Sequence, residues 1–165
     1  MLYETPTPLW TVSNRADSPS RRIADNHYNR QKIGTAQFVP PGRCLVLFSS
    51  DGGALWVTSW PFAQYVKHAW AGAWVNSCFR RESGPLASEL IRSAVAATRW
   101  FWPETPSLGM VTFVDPKKVR SKRDPGYCYL QAGFHRVGTT QGGLIVFQML
   151  PAEMPSPIPP NGALF

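Results

Sequence analysis

A helical pattern between two apolar strands is the feature that most limits the possible folds. From Leu86 to Thr98, apolar residues recur at spacings of three and four, as on the buried face of a helix, and Pro103 ends the pattern. Apolar runs rich in β-branched and aromatic residues lie on both sides of this helix, at 73–80 and 108–114. A helix of this length between two such strands predicts an α/β domain.

Further strands and two short helices complete the predicted domain, which covers residues 1–150. The residues Ser50-Asp51-Gly52-Gly53 separate two apolar runs and predict a hairpin turn. One helix is predicted to begin at Ser18-Pro19, and another over 125–132 is predicted to end at Gly133. The other predicted strands lie at 9–13, 43–49, 54–60, 134–138 and 144–149. This order predicts a mixed sheet flanked by helices.

The C-terminal residues 151–165 differ in composition from the rest of the chain. They hold five prolines in fifteen residues. Proline neither donates a ladder hydrogen bond nor continues a helix. This density predicts an extended, proline-rich C-terminal tail.

The chain is strongly basic, with 17 Lys and Arg against 10 Asp and Glu, a formal charge of +7. Such a balance favours polyanionic partners, namely nucleic acid, phosphorylated cofactors or anionic membrane surfaces. The alternative is a basic protein without such a partner. Clustering of the cations favours a partner, because Arg80 and Arg81 are adjacent and five cations lie between Lys117 and Arg123.

Cysteine usage and hydropathy indicate a cytoplasmic protein. Cys44, Cys78 and Cys128 are far apart, lie in apolar stretches and lack the spacing of zinc ligands. They are expected to be reduced, buried thiols. We identify no signal peptide in the first thirty residues and no apolar run long enough to span a membrane, so no membrane partner is expected.

The stretch 111–134 concentrates groups that can carry chemistry. Asp115 follows a buried strand, and in open α/β sheets ligands bind beyond the carboxyl ends of strands. The equally plain alternative is that Asp115-Pro116 forms a turn. The cations between Lys117 and Arg123 would bind phosphates of DNA or of a cofactor, or would form a solvated loop. Of Tyr127 and Tyr129, two positions apart on one helix, one is expected to pack and the other to face the site.

Two other segments are candidates for the same site. The loop 81–86 leads into the long helix, whose free N–H groups and positive dipole end suit phosphate. The alternative is a well-capped helix start with Glu89 in its first turn. His27 lies among other hydrogen-bonding residues, which suits either a base or a structural polar contact.

The region from about residue 43 to residue 149 resembles the GNAT acyltransferase fold. The resemblance rests on the order strand, tight loop, long helix, strand, short helix, and on Tyr129, Gly133 and Phe134, which match the family pattern Leu-Tyr-x-Lys-x-Gly-Phe. Cys128 and Gln131 replace the Leu and Lys of that pattern. The resemblance implies a mostly antiparallel mixed sheet, acetyl-CoA or a related acyl-CoA as cofactor, and Tyr129 as the acid that protonates the departing thiolate. In the pyrophosphate loop, Pro85 lacks an N–H donor.

The whole chain is similar to phage-encoded, Mom-like DNA-modification proteins with a GNAT-like fold. It shares with them the pair His27-Tyr28 near the N-terminus, and Asp115 at a strand end before the late Tyr129. The phrases at 88–92 and 114–120 are also similar. This resemblance implies transfer of a carbamoylmethyl-type group to the exocyclic amine of adenine in double-stranded DNA. It also implies bound iron as a cofactor, and GNAT-like proteins are commonly homodimers.

Each candidate residue has an expected role within this resemblance. Asp115 and His27 would act as bases or polarising groups, and Tyr28 and Tyr129 as acids or orienting groups. The residues expected to hold the cofactor are Arg81, Ser83, Gly84 and Ser88. The residues expected to hold DNA phosphates are Lys117, Lys118, Arg120, Lys122 and Arg123. An adenine inside a duplex must first be flipped out, at about a few kcal/mol.

Two other functions stay open at this point. An acyl-CoA-dependent N-acyltransferase on a small amine or a protein is favoured by Tyr129 and Gly133-Phe134, and disfavoured by Pro85. A non-catalytic DNA-binding protein on a GNAT-like scaffold would explain the charge without any reaction.

Overall fold

A seven-stranded sheet is the centre of the fold in the computed structural model, which describes residues 8–14, 18–25, 43–118 and 125–163. The strands are β1 (Trp10–Val12), β2 (Arg43–Ser49), β3 (Ala54–Trp60), β4 (Trp74–Arg81), β5 (Met110–Val114), β6 (His135–Thr139) and β7 (Ile145–Met149). The helices are α1 (Ser18–Asp25), α2 (Ala87–Phe101) and α3 (Tyr127–Ala132), with 3-10 turns at Ala63–Tyr65 and Pro151–Glu153. The predicted α/β class is confirmed.

The sheet is mixed and mostly antiparallel, with the spatial order β1-β2-β3-β4-β5-β7-β6. Among the strands described, β4 and β5 form the parallel pair, and every other neighbouring pair is antiparallel. A parallel pair needs a long crossover connection. Helix α2 supplies it, which explains why the long helix lies between these two strands in the chain.

Helices cover both faces of the sheet. On one face, α2 buries most of the residues that the spacing predicted, Leu90, Ile91, Ala94, Val95 and Thr98, and α3 packs beside it. The prediction was wrong for Leu86, which precedes the helix and is 65% exposed. On the other face, α1 buries Ile23 and Ala24 against residues of β2 and β3. None of the helices in the described part of the chain has the length and apolar character needed to span a bilayer.

The proline-rich C-terminal segment begins with the 3-10 turn at Pro151–Glu153, which the sequence did not predict, and then continues without regular structure along α2. Met154 is buried in the main core, and the Arg99 side chain on α2 donates to the Pro155 carbonyl at 2.8 Å. Further on, the Val12 N–H donates to the Asn161 carbonyl at 2.9 Å, so the segment also pairs with β1. Residues 151–163 therefore join the helical layer to the edge of the sheet.

The strands β4 and β5 separate halfway along β4. Their last paired residues are Asn76 and Thr112, whereas β4 continues to Arg81. Directly after Asn76, a register shift leaves Ser77 with no paired residue in the β3 register, which is the geometry of a β-bulge. A bulge bends its strand and increases the local twist. The second half of β4 is therefore no longer paired with β5, and we call the region between these two strand ends the gap.

Candidate functional site

Asn76 is the centre of a buried polar cluster at the point where β4 and β5 separate. The residue is 5% exposed. Its amide nitrogen donates to the carbonyls of Val57 and Cys78, at 3.0 and 2.9 Å. Its amide oxygen accepts from the hydroxyls of Tyr129, at 2.7 Å, and Thr112, at 3.3 Å. One side chain therefore joins β3, β4, β5 and α3.

The two backbone carbonyls determine the orientation of the Asn76 carboxamide. Only its NH₂ group can donate to carbonyl oxygens, so the amide oxygen must face the two hydroxyls. That oxygen has no proton to donate, and the Tyr129 hydroxyl is therefore the donor in the bond between them. The Tyr129 proton points toward Asn76, and the phenolic oxygen keeps only lone pairs for any other partner.

Aromatic packing holds Tyr129 in this position. Its ring stacks on Phe147 with centroids 6.1 Å apart, and meets Phe134 and Phe79 edge-on at 5.5 and 6.4 Å. Tyr129 is 8% exposed, whereas Tyr127 on the same helix is 41% exposed. A buried tyrosine usually has such a hydrogen-bond partner, so this setting also suits a structural residue.

Two glycines place the short helix α3 against the sheet. Gly126 has a φ of 80°, and a side chain there would meet the Phe147 ring at 2.3 Å. Gly133 has a φ of 105° and ends the helix, as the sequence predicted. The Arg92 side chain of α2 donates to the Ala132 carbonyl at 2.8 Å. Helix α3 therefore packs closely against β7 and α2. This packing brings the Tyr129 hydroxyl within hydrogen-bonding distance of Asn76.

Asp115 forms a turn at the end of β5. One carboxylate oxygen accepts from the Lys117 N–H at 2.9 Å, and the Asp115 carbonyl accepts from the Lys118 N–H at 3.2 Å. Asp115 follows Thr112 by three residues, which on a strand is about 10 Å. The turn that the sequence allowed as the alternative is thus present, and it sets the start of the basic loop.

The loop before α2 uses several of the groups expected to hold a cofactor. The Arg81 guanidinium donates to the Pro85 carbonyl at 2.6 Å and to the Gly84 carbonyl at 2.8 Å. The N–H groups of Glu82 and Ser83 both donate to the Gly53 carbonyl, at 2.7 and 3.2 Å. These donors therefore form hydrogen bonds within the loop and to the β2–β3 turn. Ser88 lies half-buried in the first turn of α2.

A carboxylate locks the β2–β3 turn against this loop. Asp51 accepts from the Ser49 hydroxyl at 2.8 Å and from the Gly53 N–H at 3.0 Å. The hydrogen bond from Gly53 and then that from Ser49 hold the pKa of Asp51 below its ordinary value, and Arg81 has a smaller effect in the same direction. Gly84 has a φ of 101°, and a Cβ there would lie 2.2 Å from the Asp51 carboxylate.

Cations stand at the carboxyl ends of both separating strands. Arg80 and Arg81 end β4, and the exposed Lys117 and Lys118 follow β5. The parallel strands bring these ends to the same edge of the sheet. The other residues predicted to bind DNA or to take part in catalysis lie outside the described residues; these are His27, Tyr28, Arg120, Lys122 and Arg123.

Asn76 and Thr112 are site residues that the sequence interpretation missed. Asn is disfavoured inside strands, and Trp74-Val75-Asn76 places one in an otherwise apolar run. That departure from the pattern was the available signal. Thr112 carried none, because threonine is common in strands.

Metal ligands do not cluster in the described residues. No group of three or more His, Cys, Asp or Glu side chains lies close enough there to hold a metal ion. The described part of the chain thus provides no protein site for the iron that the resemblance implies.

Comparison of the chain with protein-family models, with curated proteins and with solved structures gave no match.

Proposed function

We propose that the protein is a GNAT-like group-transfer enzyme that modifies the exocyclic amine of adenine in DNA, in the manner of Mom-like proteins. The observation that carries this proposal is the Tyr129 hydroxyl, held 2.7 Å from Asn76 at the point where the parallel strands separate. A gap between strands beside a fixed polar group gives a substrate both an entrance and an orienting contact. The GNAT-like fold itself is part of the proposal, supported by the strand order and by the bulge at Ser77.

The distribution of charge favours DNA as the acceptor. The formal charge is +7, and Arg80, Lys117 and Lys118 lie at the edge of the sheet where the gap opens. Cations that neutralise phosphates provide most of the sequence-independent affinity for DNA. A base extruded from the duplex would enter the gap while the flanking phosphates stay on this cationic edge.

Positioning is the main contribution that such a site would make. The adenine amine is a weak nucleophile because its lone pair is delocalised into the ring, so its reaction depends on being held against the donor. A rigid hydroxyl is suited to this, and Tyr129 is fixed by three aromatic rings and by Asn76. Asp115 would act indirectly, by setting the direction of the basic loop through its bond to Lys117.

The direct test is the nucleoside composition of DNA from cells that express the protein. A heavier adenine nucleoside, absent from cells with an empty vector, is the expected result. DNA binding without any modified nucleoside would instead support a non-catalytic DNA-binding protein.

The second candidate is an acyl-CoA-dependent N-acyltransferase on a small amine or a protein, which the same gap and Tyr129 also favour. Against it, Pro85 has no N–H, and the N–H groups of Glu82 and Ser83 already bond to Gly53. These three backbone positions of the loop therefore offer no free N–H group to a pyrophosphate. Titration calorimetry with acetyl-CoA separates the two, because micromolar binding would favour the acyltransferase and no binding would exclude it.

A further inference from the structure

A cavity of about 310 Å³ lies between the start of β2 and the end of α2. It is lined by residues 12–14, 44–46 and 101–102, so it is separate from the Asn76 cluster. Most of this lining is apolar, with Leu45 buried and Phe101 and Trp102 half-buried, and the lining reaches solvent at the exposed Asn14. The volume is at the lower limit of small-molecule sites, which are mostly apolar and roughly 300–1,000 Å³ in size.

One wall of the cavity belongs to a cluster of three indole rings. The centroid of the Trp102 ring lies 5.4 Å from that of Trp60 and 6.1 Å from that of Trp74. Trp60 and Trp74 meet edge-on at 5.8 Å, and Trp74 is fully buried. Because these neighbours already hold Trp102, a flat ring that entered the cavity would meet a preorganised aromatic surface.

A cation stands beside this aromatic wall. The Arg43 guanidinium lies over the Trp60 ring, 4.1 Å from its centroid. Arg43 and Leu45 are two positions apart on β2, so their side chains lie on the same face of the sheet. Arg43 is exposed and takes part in none of the ion pairs among the residues that the structure describes. An anionic group at the mouth of the cavity would therefore meet a cation that is held by stacking and not already neutralised.

We propose that this cavity binds a small aromatic carboxylate, with its ring between Leu45 and Trp102 and its carboxylate toward Arg43. This inference goes beyond the proposed function and does not depend on it. A guanidinium suits a carboxylate because its planar N–H donors match the two carboxylate oxygens. One cation beside a mostly apolar lining favours a singly charged ligand over a nucleotide with several phosphate charges.

A matched pair of probes, 2-naphthoate and its neutral amide 2-naphthamide, tests the proposal. The two share the ring system and nearly the same shape, and they differ in charge. Their dissociation constants from the full-length protein would be measured by NMR titration of the probe resonances. We expect the wild type to bind 2-naphthoate about two- to fivefold more tightly than 2-naphthamide, the value of a partly solvated ion pair.

Variants then assign the binding to this cavity. Arg43→Gln should reduce the ratio between the probes to about one, and Arg43→Lys should keep part of the preference. Arg22→Gln, which removes the same charge from an exposed position on α1, should keep the wild-type ratio. Ser13→Phe adds a ring at the lining and should weaken binding of both probes about tenfold or more by steric exclusion. Ser107→Phe makes the same change at an exposed position away from the lining and should not.

Several results would overturn the proposal. These are equal affinity of the wild type for the two probes, an unchanged ratio in Arg43→Gln, or wild-type binding by a Ser13→Phe variant whose thermal transition shows a folded protein. Absence of binding of both probes at millimolar concentration would do the same. The Arg43 variants change only an exposed side chain, so they keep the test decisive if Ser13→Phe does not fold. Modification of adenine is measured separately, and none of these results would contradict it.

Discussion

Removal of the Asn76 side chain should destabilise the protein far more than its size suggests. The alanine variant loses four hydrogen bonds, two from the amide nitrogen and two to the amide oxygen. One of these is the bond that Tyr129, an 8% exposed residue, donates to Asn76. At about 1 kcal/mol net for each of these buried hydrogen bonds, we expect a loss of roughly 3–5 kcal/mol.

A double-mutant cycle tests whether this loss comes from the bond between Asn76 and Tyr129. Tyr129→Phe alone should cost about 1 kcal/mol, because the Asn76 oxygen keeps the Thr112 hydroxyl. Each single variant already loses this bond, so the combined loss in the double variant should be smaller than the sum of the single losses by about 1–2 kcal/mol. Thr112→Val removes the longer bond and should cost less than Asn76→Ala.

Urea unfolding followed by tryptophan fluorescence would measure these free energies, since Trp56 and Trp74 are fully buried in the same core. Equal slopes among the variants would show that the unfolding transitions are comparable. Additive losses in Asn76→Ala and Tyr129→Phe would refute the account of the cluster. A loss below about 1 kcal/mol for Asn76→Ala would do the same.

Three further predictions concern the loop contacts and the C-terminal segment. Because the pKa of Asp51 is lowered, its contribution to stability is present above its ordinary value of 3.8 and is lost as the pH falls through the folded-state pKa; Asp51→Asn should remove this part of the pH dependence, as measured by unfolding in acid and at neutral pH. Gly84→Ala should cost about 1–3 kcal/mol more than Gly143→Ala, because both have a positive φ but only Gly84 would bring its Cβ against a carboxylate; equal melting temperatures of the two variants would contradict this. Truncation after residue 150 removes the buried Met154 and should lower the melting temperature by roughly 3–12 °C in calorimetry; an unchanged transition would mean that the segment does not stabilise α2.

Local signals in the sequence predicted most of the elements. The spacing in α2, the hairpin turn before β3 and the glycine at the end of α3 each act within a few residues, and each is observed. The order of the elements was enough to predict a mixed sheet, because a long helix between two strands suits a crossover.

The site was harder to predict because its contacts are far apart in the chain. Tyr129 and Asn76 are 53 residues apart, and Thr112 is 36 residues from Asn76. Periodicity indicates which face of a strand is buried, but not which distant hydroxyl it meets. Asn76 was therefore missed even though an asparagine inside an apolar strand was visible.

Charge was ambiguous for a related reason. Arg81 has the residue type expected at a phosphate site, but its guanidinium lies within hydrogen-bonding distance of carbonyls three and four residues further on. A sequence shows that a cation is present, but it does not show whether the N–H donors of that cation already bond to the protein itself. The prediction made from the proline density was also incomplete. It described an extended C-terminal segment but not the packing of that segment along α2.

The measurement that most directly tests the central claim is mass spectrometry of nucleosides from DNA exposed in cells to the wild type, to Tyr129→Phe and to Tyr127→Phe. The account predicts a modified adenine nucleoside with the wild type and with Tyr127→Phe, and a large loss of it with Tyr129→Phe at equal protein level. Unmodified adenine in all three samples would contradict the proposed activity. Equal modification by Tyr129→Phe and the wild type would contradict the role of the hydroxyl held by Asn76.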